Sequence, residues 1–172
     1  QQATCVPRFP PVAEMDRAYR PDHTVDAADV EAIRAALQDC ERPCVYAGGG
    51  IIISGAAAAL RRFAEGYNLP VTTTLMGIGG FPEDHPLALK WLGMHGTAYA
   101  NYAANEADLL LALGTRFDDR VTGPVKGFAP QAKIIHVDID RSEINKNVRA
   151  HLGITANVRD VLEALNRRPI RK

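Results

Sequence analysis

The sequence predicts an α/β fold, a doubly wound parallel sheet with helices on both faces. Three observations carry that prediction. Short apolar runs alternate along the chain with longer amphipathic ones. The runs at 108–113 (Asp-Leu-Leu-Leu-Ala-Leu) and 133–137 (Lys-Ile-Ile-His-Val) are nearly continuous, as strands buried on both faces are. Glycines, arginines and aspartates follow these runs, where such sheets bind ligands.

The elements can be justified in order. Residues 1–24 hold Pro7, Pro10, Pro11 and Pro21 with no sustained period and read as an extended linker. Asp26 is placed to cap a helix whose apolar stripe is Val30, Ile33 and Leu37. Cys44-Val45-Tyr46-Ala47 reads as a strand and Gly48-Gly49-Gly50 as the turn after it. Leu60, Phe63, Ala64 and Tyr67 form the inner face of the next helix. Pro70-Val71-Thr72-Thr73-Thr74 is β-branched and reads as a second strand. Residues 97–107 are Ala-rich and predict a helix between Trp91 and the strand at 108–113. After the strand at 133–137, Gly153-Ile154-Thr155-Ala156 predicts a last one. Asn157 is placed to cap a final helix facing inward with Val158, Val161, Leu162 and Leu165. The map is a linker at 1–24, one folded domain at 25–167 and a basic tail at 168–172.

Composition supports one domain and narrows its partners. The chain has 172 residues, with 20 Lys+Arg balancing 20 Asp+Glu. At 47% hydrophobic and 23% charged it is an ordinary globular composition. Neutral charge offers no field for nucleic acid or an anionic membrane, so neither is expected as a partner. The uncharged stretch 43–60 is interrupted by Gly48, Gly49, Gly50, Ser54 and Gly55, which argues against a membrane span. Three cysteines, Cys5, Cys40 and Cys44, fit a reduced compartment better than a disulfide framework.

The strand ends hold the candidate site. Gly48, Gly49 and Gly50 let backbone approach a phosphate, though a plain tight turn explains them as well; the spacing is neither a P-loop nor G-x-G-x-x-G. Thr74-Leu75-Met76-Gly77 follows the second strand, and Leu92-Gly93-Met94-His95-Gly96 follows Trp91. No His-x-x-x-His or Cys-x-x-Cys pattern accompanies His95, so no metal site is expected. The run 114–123, Gly-Thr-Arg-Phe-Asp-Asp-Arg-Val-Thr-Gly, packs Arg116, Asp118, Asp119 and Arg120 around Phe117. It reads either as a solvated loop with local ion pairs or as a binder of an anionic, hydroxyl-rich ligand. Asp138-Ile139-Asp140 puts acid where ribose hydroxyls are held in nucleotide folds, while Asp140 alone can cap a short helix; Glu143 is one turn away. The set suits a long nucleotide such as FAD or NAD. It contains no triad and no well-placed acid/base pair, so no catalytic residue is expected in this chain.

These motifs, in this order and spacing, resemble the central domain of the acetohydroxyacid synthase (acetolactate synthase) catalytic subunit, from about residue 25 to 166. The Arg116-Phe117-Asp118-Asp119-Arg120-Val121-Thr122-Gly123 run is specific to that branch of the thiamine-diphosphate enzymes. The resemblance implies a Rossmann-like, DHS-type FAD/NAD-binding domain of about six parallel strands, carrying a largely structural FAD. It implies cofactor contacts from Gly48, Gly49, Gly50, Thr74, Leu75, Leu92, Gly93, His95, Gly114, Thr115, Arg116, Asp118, Arg120, Val121, Asp138, Ile139 and Glu143. Arg120 and Met94 would also face the substrate, the arginine holding the carboxylate of a second 2-keto acid. One departure stands out: the family's Gly-Asp-Val before the last helix is Ala156-Asn157-Val158 here, which predicts weaker flavin binding.

The same resemblance implies a parent transferase of branched-chain amino-acid biosynthesis. That parent condenses pyruvate with pyruvate or 2-ketobutyrate on thiamine diphosphate and Mg²⁺. Its thiamine-activating Glu and its Gly-Asp-Gly motif belong to amino- and carboxy-terminal domains, and no Gly-Asp-Gly occurs here. The chain is therefore expected to be a catalytically incomplete middle domain. Its partners would be those two domains, a second copy of the parent and a regulatory subunit. Its place would be the cytoplasm, or the plastid in a plant. Three alternatives stay open: the central domain of another flavin-carrying relative such as a glyoxylate carboligase or pyruvate oxidase, a free-standing nucleotide-binding module, and a scaffold that no longer binds flavin. The 116–123 run argues against the first of these.

Overall fold

Near-continuous apolar strands have two faces to bury, and two cores result. The computed structural model describes residues 24–168; the Pro-rich arm and the basic tail lie outside the described residues apart from Thr24 and Arg168. Six strands form one sheet: β1 (Pro43–Ala47), β2 (Val71–Thr73), β3 (Ala88–Trp91), β4 (Leu109–Leu113), β5 (Lys133–Asp138) and β6 (Leu152–Thr155). All neighbours are parallel, in the order β3-β2-β1-β4-β5-β6. Alternate side chains divide between the faces, as the pleat requires. Val45, Ala47, Leu109, Leu111, Leu113, Ile135 and Val137 enter one core, and Cys44, Tyr46, Leu110, Ala112 and Ile134 the other.

The first core is covered by three helices, each turning inward the stripe expected of it. They are α1 (Ala27–Asp39), α3 (Ala57–Tyr67) and α6 (Val158–Asn166). A short helix, α2 (Gly49–Ile53), precedes α3. The second core is covered by α4 (Ala98–Glu106), whose Ala100 and Ala104 permit close approach, and by the loops that follow β4. The side chains of Asp26, Thr97 and Asn157 accept backbone N–H groups at the starts of α1, α4 and α6, leaving fewer orphan donors there. The buried Arg34 guanidinium donates to the carbonyls of Leu165 and Arg168, closing the far end of α6. No helix among the described residues is long and apolar enough to cross a membrane.

Two local differences from the sequence reading have physical causes. Gly49 and Gly50 are not a free turn but the first turn of α2. β3 is an edge strand, mostly half-exposed, with Lys90 at a positive φ of 60° and a register shift where it meets β2. Such a strand leaves no continuous apolar run, and the residue pattern did not reveal it.

Candidate functional site

The chain leaves β1 towards β2 and leaves β4 towards β5, although β1 and β4 are neighbours. Their chains diverge beyond the carboxyl end of the sheet, and such a switch point is where open α/β sheets bind ligands. Backbone bonds lock this junction: Gly48 N donates to Leu113 O (2.9 Å), Gly50 N to Gly114 O (3.1 Å) and Gly114 N to Val137 O (2.8 Å). A Cβ on Gly48 would lie 2.0 Å from the Gly114 carbonyl oxygen, and one on Gly50 would lie 2.7 Å from the Gly114 Cα. The close approach of two loops therefore suffices to explain the glycines predicted to meet a ligand.

The other predicted residues line the same edge. Thr74 Oγ1 accepts from Gly77 N (2.9 Å) and caps a 3₁₀ turn, Leu75–Gly77, which leaves Leu75 exposed. Gly93 packs against the backbone of Arg120 and Val121, and Met94 N donates to Arg120 O (2.9 Å). The loops after β3 and β4 thus meet, although β2 and β1 separate those strands. Met94 stands 68% exposed and the Arg120 side chain 75% exposed. His95 is also exposed, with its ring edge-on to Trp91 at 6.4 Å. Leu92 differs, because its side chain is buried in the second core.

In the loop after β4, side chains alternate: Thr115 and Phe117 are buried while Arg116 and Asp118 are exposed. Asp118 keeps extended backbone angles (φ −61°, ψ 148°), and Asp119 is the first helical residue after it. Asp118 accepts from Arg120 N (3.0 Å) and caps a one-turn helix, α5 (Asp119–Thr122). That bond, with Arg116 and Arg120 nearby, holds the Asp118 carboxyl below its usual range. Val121 packs against the second core.

Acidic groups gather at the end of β5. Asp138 is buried, and one of its oxygens accepts from Asp140 N (2.9 Å). Burial raises its affinity for a proton, and Glu143 and Asp140 add to this. Asp140 instead caps the 3₁₀ turn Arg141–Glu143 through Ser142 N (2.8 Å), as its alternative reading had it. Glu143 Oε1 pairs with Lys146 (2.7 Å), while its Oε2 is buried without a partner among the described residues. Ile139 is 46% exposed beside them. Three further buried groups at this edge lack partners among the described residues: Thr115 Oγ1, His136 Nδ1 and the Tyr46 hydroxyl.

The sequence reading singled out neither Tyr46 nor His136, which are fully buried beneath this edge. Their signal was present: each is a polar ring inside an otherwise apolar strand. Asn147, whose side-chain amide donates to Arg116 O (2.9 Å), gave none. Among the described residues no cluster of three or more His, Cys, Asp or Glu is placed to hold a metal ion. Chemically, this edge presents guanidinium groups, carboxylates and polar backbone.

Comparison with known proteins agrees with this architecture. Residues 30–165 match the family model described as thiamine pyrophosphate enzyme, central domain. The chain is 50% identical, over 93% of its length, to a probable acetolactate synthase large subunit of Methanocaldococcus jannaschii, of which it covers 27%. It is 62% identical, over 79% of its length, to a probable chloroplastic acetolactate synthase 2 of Oryza sativa subsp. japonica, of which it covers 20%. It is 56% identical to a chloroplastic acetolactate synthase 1 of Zea mays over 80% of its length, covering 21% of that protein. The chain thus spans a fifth to about a quarter of the length of these relatives. The motif resemblance and the six-stranded parallel sheet agree with the family match, and the chain belongs to the central-domain family of the thiamine pyrophosphate enzymes.

Proposed function

We propose that this chain is the FAD-binding middle domain of an acetolactate synthase and that its flavin lies along the carboxyl edge of the sheet. The observation that carries the reading is the switch point between β1 and β4. Beside Gly48 at this point lies Thr115, whose Oγ1 is a buried polar atom with no partner among the described residues, next to the exposed Arg116. A dinucleotide fits these residues. Arg116 matches a pyrophosphate, and Asp138 with Glu143 can accept from ribose hydroxyls. Gly48, Gly49, Gly50 and Gly114 would present backbone to the dinucleotide, and Thr74, Leu75, Gly93, His95, Asp118, Val121 and Ile139 would extend the contact along the edge. Leu92 would contribute through its backbone. Asn157 uses its side-chain oxygen as a cap, bonded to Arg159 N (2.9 Å), so the position supplies no carboxylate to a flavin.

The flavin's part in this reading is structural. Arg120 and Met94, both exposed, would face the 2-keto acid substrate, with Arg120 holding its carboxylate. Thiamine diphosphate and Mg²⁺ would be held by domains beyond this chain, since none of the family's motifs for them occurs in the sequence. Those domains, a second copy of the parent and a regulatory subunit complete the proposed assembly. Its compartment would be the cytoplasm, or the plastid in a plant, as in the relatives named chloroplastic. The test is a titration of the 172-residue chain with FAD, following flavin fluorescence and melting temperature together. Micromolar binding with a raised melting temperature is expected; no binding would overturn the flavin reading for this chain while leaving its family untouched.

A further inference from the structure

Tyr46, Ala112 and His136 are register partners across β1, β4 and β5 and share one face of the sheet. The small alanine between two rings leaves a slot, and Phe117 fills it. Its ring centre lies 5.6 Å from Tyr46 and 5.0 Å from His136, which it meets edge-on at 89°. Phe117 is buried and has a φ of 48°, a conformation that a bulky residue keeps only when its surroundings hold it. His136 Nε2 lies 2.8 Å from Thr115 O. A carbonyl can only accept, so Nε2 carries the proton and Nδ1 its lone pair. Burial favours the neutral ring, against Asp138, whose Oδ2 is 3.9 Å from Nε2, and against Glu143. With Asn147 donating to Arg116 O, the loop is fastened at three consecutive residues, 115 to 117.

We propose that His136 is the positioning residue of this loop: its buried ring holds the Thr115 carbonyl and the Phe117 ring together and so sets where Arg116 and Asp118 meet a flavin nucleotide. The proposal rests on the flavin reading above. His136 sits beneath the site, and its effect passes through the backbone of residues 115–117.

Two substitutions separate its parts. His136→Phe keeps a ring for Phe117 to pack on but removes the donor; His136→Gln restores an N–H donor. Amide hydrogen exchange and FAD affinity are measured on the 172-residue chain and both variants. In His136→Phe, amides 114–121 are expected to exchange about tenfold faster, those of β4 are unchanged, and the FAD Kd rises about tenfold. His136→Gln should recover most of both. Ring-nitrogen NMR of the unaltered chain in its neutral form should report the proton on Nε2. Three results would overturn the proposal: unchanged loop exchange in His136→Phe, equal acceleration in β4, or a neutral ring that carries its proton on Nδ1. If the unaltered chain binds no FAD, the flavin reading fails instead, and the contrast between loop and β4 exchange still decides whether His136 positions the loop.

Discussion

Asp138 sets a stability cost against a binding role. Burial raises its folded pKa above the ordinary 3.8, so the folded state holds this proton more tightly than the unfolded chain does. The sign follows: its penalty is absent below pH 3.8 and develops as pH rises through the folded value. Asp138→Asn keeps an acceptor for Asp140 N and removes the charge. It is expected to raise the melting temperature at pH 7, with a gain that shrinks on acidification, while weakening FAD binding. Melting curves from pH 3 to pH 7 check the first half; an undiminished gain at the acid end would contradict it. Arg116 is the opposite case, exposed and bonded to its surroundings through its backbone. Arg116→Ala should leave the melting temperature of the ligand-free chain unchanged and raise the FAD Kd about tenfold or more, a charged hydrogen bond being worth roughly 1.5–3 kcal/mol. Isothermal titration reads the affinity directly.

At the scale of elements, α6 is held at its start by its own cap and at its end by other segments' chemistry. Asn157 caps its start, and Arg34 of α1 closes its end, helped by the Tyr67 hydroxyl of α3, 3.3 Å from Leu165 O. The terminal carbonyls of a helix have no partners of their own and carry partial negative charge, which suits a buried guanidinium. Arg34→Met keeps much of the buried stem and strips the donors. It should cost about 1–3 kcal/mol, the penalty of leaving buried acceptors unsatisfied, read as a lower urea midpoint at constant m-value. The helices were legible from their stripes, because an inward face repeats every three to four residues whatever it packs on. Arg34 was not, since an arginine within a helix gives no sign that it will be buried.

For the whole molecule, the decisive place is the junction of β1 with β4, where backbone from the two halves of the sheet touches. Gly114 has a φ of +60°, and a Cβ there would lie 2.6 Å from the Gly50 Cα. Gly114→Ala therefore meets strain and collision together and should cost several kcal/mol. Gly127 has open space around its Cβ position, so Gly127→Ala should be neutral or stabilising by up to about 1 kcal/mol. Calorimetry of the two variants checks the contrast, and equal effects would mean that the switch-point contact is not what requires glycine. The same carboxyl edge leaves Ile53 90% exposed, with Leu75 and Met76 also exposed, as expected of a chain covering 20–27% of its relatives.

The sequence by itself determined the class of fold, five of the six strands, the four longer helices, three of them with their inward faces, and the family. Each of these depends on local periodicity or on a contiguous motif such as 116–123, which one dimension preserves. Tertiary structure decided the rest. It made an edge strand of β3, whose half-exposed residues carry no periodic signal. It assigned Asp118 and Asp140 to caps and left Asp138 buried. It also placed Tyr46 and His136 on either side of Ala112 beneath Phe117. Register across three strands creates that slot, and register arises only when residues far apart in sequence pair in the sheet.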